Sequence, residues 1–415
     1  MSRPGYPAAA AVFAIGMAGT TLPTPLYGLY REELGFSELM VTVVFAVYAL
    51  GVIATLLLAG NVSDETGRRP VLLAALGFSA ASALCFLFEG GLPALFAGRL
   101  LSGFAAGLLS GAATVTVMEL APPGRAAGAG LAATAANMGG LGCGPLLAGL
   151  LAEYAPWPLR LPFVVHLALI AAAAVLTWLL PETVTSSGRR LRLRPQGLAV
   201  PPQVRGVFAP SALAAFAGFS LLGLFTAVAP AFVADTLDVH NLALAGLVVF
   251  SVFLASTAGQ ALMGRVGERR ALPGGCFVLV AGLVLVAASL LLASLPLLVA
   301  GALCGGLGQG LAFRGAVTAI SAAAPPEHRA ATVSAFFVIA YLGISLPVVG
   351  VGALTLGIGL RNAGLTFAGC VLALALGVGL HLVRRPPARR PPARRRPARR
   401  RPARRRPARR PPARG

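Results

Sequence analysis

GLLSGAATVTVMELAPPGR at residues 107–125 and GLAFRGAVTAISAAAPPEHR at residues 310–329 are two copies of one pattern. Each is an apolar run rich in Gly and Ala that ends on a proline pair, Pro122-Pro123 or Pro325-Pro326, followed by Arg125 or Arg329. Proline has no amide hydrogen and cannot continue a helix. Both runs therefore read as helices that stop at equivalent places. The offset between them is about 203 residues, close to half of the 415-residue chain. Two similar halves are expected.

Composition sets the class of those halves. Of the residues, 57% are hydrophobic and 11% are charged, against roughly 25% charged in soluble proteins. Mean hydropathy is +0.82, which fits lipid exposure along most of the chain. The net charge of +21 is concentrated: 16 of the 34 basic residues, all arginines, fall in positions 384–415, and the chain has no lysine. Cys85, Cys143, Cys276, Cys304 and Cys370 lie in apolar runs without pairing spacing. They read as small packing residues rather than a disulfide framework or a zinc site.

A helix needs about 20 mostly apolar residues to cross the hydrocarbon core, and twelve runs qualify. They cover 8–27, 40–59, 71–88, 92–118, 127–151 and 161–180, then 211–233, 242–263, 271–292, 297–323, 331–354 and 363–382. The first run, with Pro23 and Pro25 and eleven spans behind it, reads as a retained helix and not a signal peptide. The expected fold is an all-α polytopic membrane protein of two pseudo-symmetric six-helix bundles. Its bundles occupy 1–180 and 211–383, joined by a Pro- and Arg-rich linker at 181–210 and followed by a tail at 384–415.

Arginine placement sets the orientation, because cytoplasmic loops collect positive residues. With an internal N-terminus, Arg3, Arg68, Arg69, Arg125, Arg189, Arg190, Arg192, Arg194, Arg205, Arg265, Arg269, Arg270 and Arg329 face the cytoplasm. Arg31, Arg160 and Arg361 face outward, a ratio of thirteen to three. Both termini are expected in the cytoplasm, in the cell (plasma or inner) membrane.

Between the second and third runs stands GNVSDETGRRPVL, residues 60–72. Gly60, Asp64, Gly67, Arg68 and Arg69 match the loop signature of the major facilitator superfamily, which the chain resembles over about residues 8–382. Glu65 stands where that signature has Arg, and the equivalent second-half loop keeps Gly264, Gly267, Arg269 and Arg270 but no Asp. The resemblance implies a conformational latch at these five residues. It also implies a fold whose substrate site lies between the halves and alternates access by rocking. In the fifth run, Gly140, Gly144, Pro145 and Gly149 resemble the family's antiporter motif. That implies proton-coupled efflux of a small amphipathic compound. Import or uniport of a metabolite, a channel, and a sensor or scaffold that has lost transport remain alternatives.

Candidate substrate-binding residues follow from cost and symmetry. An arginine in the membrane costs about 2.5–3.5 kcal/mol and needs a cavity or a partner. Arg99 and Arg314 are such residues, with no acid at mid-membrane to pair with them. An anionic substrate group or backbone carbonyls are their candidate partners. Arg99 is seven residues from the external end of its run, within reach of snorkelling outward. Proline-broken segments at corresponding places, TTLPTPLY at 20–27 and TAVAP at 226–230, point to the same region. They add Thr20, Thr24 and Tyr27, and polar Gln309 and Tyr341 complete the set.

The histidines at 166, 240, 328 and 381 form no triad or metal spacing. A Walker site is excluded by the lack of lysine. Neither a catalytic site nor a metal or cofactor is expected. The expected partners are a small-molecule substrate, protons and membrane lipids, with the protein a monomer. The Arg/Pro tail reads as disordered, free to meet anionic headgroups; nucleic acid is not an expected partner.

Overall fold

A computed structural model describes residues 5–60, 62–88, 90–184 and 197–384. Arg3, Arg189, Arg190, Arg192, Arg194, the middle of the expected linker (185–196) and the tail from 385 onward lie outside the described residues.

Among the described residues, helices account for the ordered elements, and eleven are long and apolar enough to cross a membrane. The last, Arg329–Arg384, is two spans: Gly359 (φ 78°, ψ 161°) breaks it at a conformation that favours glycine. Twelve spans result among the described residues. The first half holds α1 Tyr6–Leu34, α2 Glu38–Leu58, α3 Arg68–Leu87, α4 Leu92–Glu119, α5 Ala126–Tyr154 and α6 Leu161–Leu179. The second holds α7 Arg205–Ala227, α8 Leu242–Val266, α9 Glu268–Leu292, α10 Leu295–Ala323, α11 at 329–358 and α12 at 360–384. In hydrocarbon every backbone polar group must be satisfied within the segment, which leaves such sequences no other regular choice.

Local chemistry sets the ends. The Met40 N–H donates to Ser37 Oγ (3.3 Å) ahead of α2, and the Leu244 N–H to Asn241 Oδ1 (2.8 Å) ahead of α8. Prolines sit in the first turns of α4, α6 and α10, where no amide is needed. In α1 the helix tightens into a 3₁₀ turn at Thr24–Leu26, between Pro23 and Tyr27. After α7 the chain continues through a short turn, Ala229–Ala231, and a π-turn, Phe232–Thr236. The helix α7 begins at Arg205, inside the stretch read from sequence as linker. Pro210 lies in its second turn, too near the start to break it.

Within each half, small residues let helices meet backbone to backbone. A Cβ on Gly103 of α4 would come within 2.9 Å of Gly51 Cα of α2, and one on Gly343 of α11 within 2.8 Å of Phe216 Cα of α7. Between halves, α5 packs on α8 and α2 on α11. Exposed Leu50, Phe88, Trp178 and Leu292 face outward as a lipid-contacting surface would.

Candidate functional site

A cavity of about 530 Å³ lies between the halves, lined by α1, α2, α4 and α5 on one side and α7, α8, α10 and α11 on the other. The two walls differ in chemistry. The N-terminal wall is mixed, with Thr20, Thr21, Ser110, Thr114, Thr134 and Asn137 set among Phe45, Tyr48, Met118, Met138 and Leu141. The C-terminal wall carries Phe219, Phe253, Phe313, Phe337 and Tyr341, with Thr226 and Gln260. Tyr48 and Tyr341 meet across the halves edge to face, ring centroids 6.3 Å apart, and Tyr341 also packs on Phe219 at 5.9 Å. The lining runs down α4 to Met118 and reaches Gly130 of α5, toward the Arg-rich end of the molecule.

Both expected arginines line this cavity, in different states. Arg99 is 1% exposed. It donates to Thr20 O (2.5 Å) and Phe45 O (3.4 Å), and its guanidinium lies over the Tyr48 and Phe45 rings at 4.8 and 5.2 Å. The snorkelling alternative fails, because these carbonyls and rings fix the side chain inside the bundle. Arg314 is exposed to the cavity. It has no ion pair or hydrogen bond among the described residues.

The other expected residues divide. Thr20 and Tyr341 line the cavity with the arginines. Thr24 and Tyr27 do not; they line a second space of about 320 Å³ nearer the Arg-poor end, because they lie about one and two helical turns beyond Thr20 along α1. Gln309 lines neither. It is buried between α8 and α10, where its Oε1 accepts from Ser256 Oγ at 2.6 Å. The phenylalanines of the aromatic wall and Asn137 were missed from sequence, although the Phe336-Phe337 pair and the polar side chain heading the α5 motif were visible signals.

At the Arg-poor end, polar contacts tie the halves together. Arg31 pairs with Glu38 in its own half and with Asp235 of the other at 3.7 Å. The Leu242 N–H donates to Glu153 (2.8 Å), and Asn241 Nδ2 to the Tyr154 hydroxyl (3.3 Å). Glu32, Glu38, Glu153 and Asp235 all border the second space.

At the Arg-rich end, the loop between α2 and α3 is held by its own half. Gly67 (φ 104°) opens α3, and the Arg68 and Arg69 amides donate to Glu182 at 2.8 and 3.0 Å. The nearly buried Arg68 side chain bonds Asp64 (2.5 Å), Glu119 (3.0 Å) and Ser63 (2.7 Å). Thr183 donates to Glu119 at 2.5 Å. Glu119, Glu182 and Thr183 were not expected partners, because they come from the ends of other spans. Gly60 stands just ahead of the short helix Val62–Thr66 that carries Asp64.

The α5 motif is a packing device. A Cβ on Gly140 would meet α1 at Ala14 O (2.5 Å), and one on Gly144 the Thr21 hydroxyl (2.7 Å). Gly149 faces the other half, against Leu242 and Ala243 of α8. Gly246 of α8 returns the contact against Pro145.

Comparison with known proteins agrees with this architecture. A human organic anion transporter, MFSD10 (TETRAN), superposes with a TM-score of 0.64 at 18% identity, over 90% of this chain and 98% of that one. A bacterial homologue of the human lysosomal transporter Spinster, solved inward-facing and occupied, gives 0.65 at 17% identity, over 92% and 98%. The multidrug resistance protein MdtL of Klebsiella pneumoniae (strain 342) is 41% identical over 63 residues, which is 14% of this chain and 16% of that protein's length. The family model described as Major Facilitator Superfamily matches residues 9–284 and again 211–414, so that together the matches span both halves. With that coverage, and with twelve spans enclosing a cavity between two six-helix halves, the chain belongs to the Major Facilitator Superfamily, a family of membrane transporters rather than enzymes.

Proposed function

We propose that this transporter exports small amphipathic compounds by alternating access, in exchange for protons, from a cell membrane in which both termini are cytoplasmic. The observation that carries the reading is the central cavity, which extends toward the Arg-rich end while polar contacts bridge the halves at the opposite end. With the Arg-rich end in the cytoplasm, this is the state in which an exporter loads. A wall of mixed polarity facing a mostly aromatic one suits a molecule with both characters. Protons arriving from outside would meet Glu153 and Asp235, whose contacts hold that end shut. The multidrug resistance protein from Klebsiella pneumoniae supports export through its 63 matched residues.

Import or uniport is the second reading, favoured by the lack of any carboxylate among the described residues lining the central cavity. Growth inhibition across a compound panel, with and without expression, identifies an exported compound. Counterflow of that compound in proteoliposomes then tests transport, and acceleration by a pH gradient tests coupling. Counterflow without a pH effect selects uniport; no counterflow refutes the transport reading.

A further inference from the structure

Among the described residues, the central cavity holds one unpaired charge. Arg314 projects into it from α10, exposed, and the cavity lining has no carboxylate among the described residues. Arg99, the other cation there, is already committed to two carbonyls and two rings. At the offset relating the halves, the counterpart of Arg314 is Gly111, which lines the same cavity without a side chain. The uncommitted guanidinium therefore stands on the C-terminal side alone. Between protein walls, an unpaired guanidinium is less screened than in open water and so attracts an anion more strongly, and its planar fork suits carboxylate, sulfonate or phosphate oxygens. Beside it, Phe313 packs on Phe219, Phe336 and Phe337 with ring centroids 5.4–5.9 Å apart, an apolar surface next to the cation.

We infer that the central cavity binds an amphipathic organic anion, its acid group on Arg314 and its apolar body against the aromatic wall of the C-terminal half. This rests on the transport reading for its physiological meaning, but the binding itself does not require transport. The same geometry selects against amphipathic cations, because no acidic side chain among the described residues offsets the field of the two arginines in the cavity.

The test is equilibrium fluorescence binding to the full-length protein in lipid nanodiscs, with empty nanodiscs subtracted. The probes are anilinonaphthalene sulfonate and the neutral phenylnaphthylamine of nearly the same shape. Wild type should bind the sulfonate at least about tenfold tighter, since one good charge-assisted contact is enough for that ratio. Arg314→Gln should bind the two probes about equally, and its retained affinity for the neutral probe shows that the cavity is folded. Arg314→Lys should restore part of the preference, because the charge returns without the fork. Equal affinities in wild type, no binding of either probe, a preference that survives Arg314→Gln, or loss of both probes in that variant would each overturn the anion site. If the preference follows Arg314 while counterflow of every panel compound fails, the transport reading falls and the site stands.

Discussion

The carboxylate of Glu153, one residue before the end of α5, accepts the backbone N–H of Leu242, the first residue of α8, at 2.8 Å. One half of the molecule thus supplies the anion at a helix N-terminus of the other. Such a charge contributes about 0.3–1 kcal/mol near a helix start. Glu153→Gln keeps an acceptor and loses the charge. It should raise thiol labelling of a cysteine placed at Ala245, in the adjacent seam, by up to about fivefold. An unchanged labelling rate would remove Glu153 from the closure.

Asp64 and Glu119 share the Arg68 guanidinium. We expect Asp64→Asn to insert normally and to slow transport sharply, because Arg68 keeps its Glu119 and Ser63 contacts while the loop loses a charge. Efflux of an identified compound, normalised to protein in the membrane, is the measurement. Wild-type flux in this variant would leave the loop with a packing role only.

The two cavity arginines separate by stability. Arg99→Ala deletes charge-assisted bonds to Thr20 O and Phe45 O, each worth about 1.5–3 kcal/mol. Its apparent melting temperature in detergent should fall clearly. Arg314→Ala, at an exposed side chain without protein partners among the described residues, should melt like wild type. Equal losses in the two variants would contradict their different environments.

Gly149 and Gly246 form a reciprocal contact between α5 and α8. A leucine at either position meets backbone rather than a flexible side chain, and such overpacking costs about 1–3 kcal/mol. Gly149→Leu or Gly246→Leu should therefore lower membrane abundance, or trap the halves apart at the Arg-poor end, read by labelling at Asp238. Gly274, where an added Cβ meets nothing within 4 Å, provides the tolerant control with Gly274→Leu.

Orientation is tested directly. With native thiols replaced, a cysteine at Asp238 should react with an impermeant reagent from outside intact cells, and one at Arg269 should react only after permeabilisation. Both positions are exposed. The reverse pattern would invert the orientation and with it the assignment of the cavity to the cytoplasm.

The fold was legible because each span is written locally. Apolar runs such as 331–354 and 363–382 stand apart in the sequence, and structure adds only that the turn between them is made by Gly359. The site was half legible. Arg99 and Arg314 stand out because a charge in an apolar run is conspicuous, and both line the cavity. What could not be read is which way a polar residue faces and where one space ends: Gln309 turns to Ser256 of the neighbouring helix, and Tyr27, farther along α1 than Thr20, borders a different space. The aromatic wall was hidden for the converse reason, since a phenylalanine facing a cavity and one facing lipid look alike in sequence. Partners such as Glu182 for the Arg68 amide join residues 114 positions apart, which spacing rules along one helix cannot reach.

The glycine contacts between α5 and α8 have a mechanical consequence. At Gly149 and Gly246 the helices touch through bare backbone, so a tilt there meets no methyl groups to climb over, while Phe250 and Phe253 fill the space beside Gly142. In the proposed rocking cycle these two points suit a pivot, in the manner of a plain bearing. The work of a stroke is then done at its extremities, on the ionic contacts at one end and on whatever occupies the middle, which is where a gradient or a cargo can act on it.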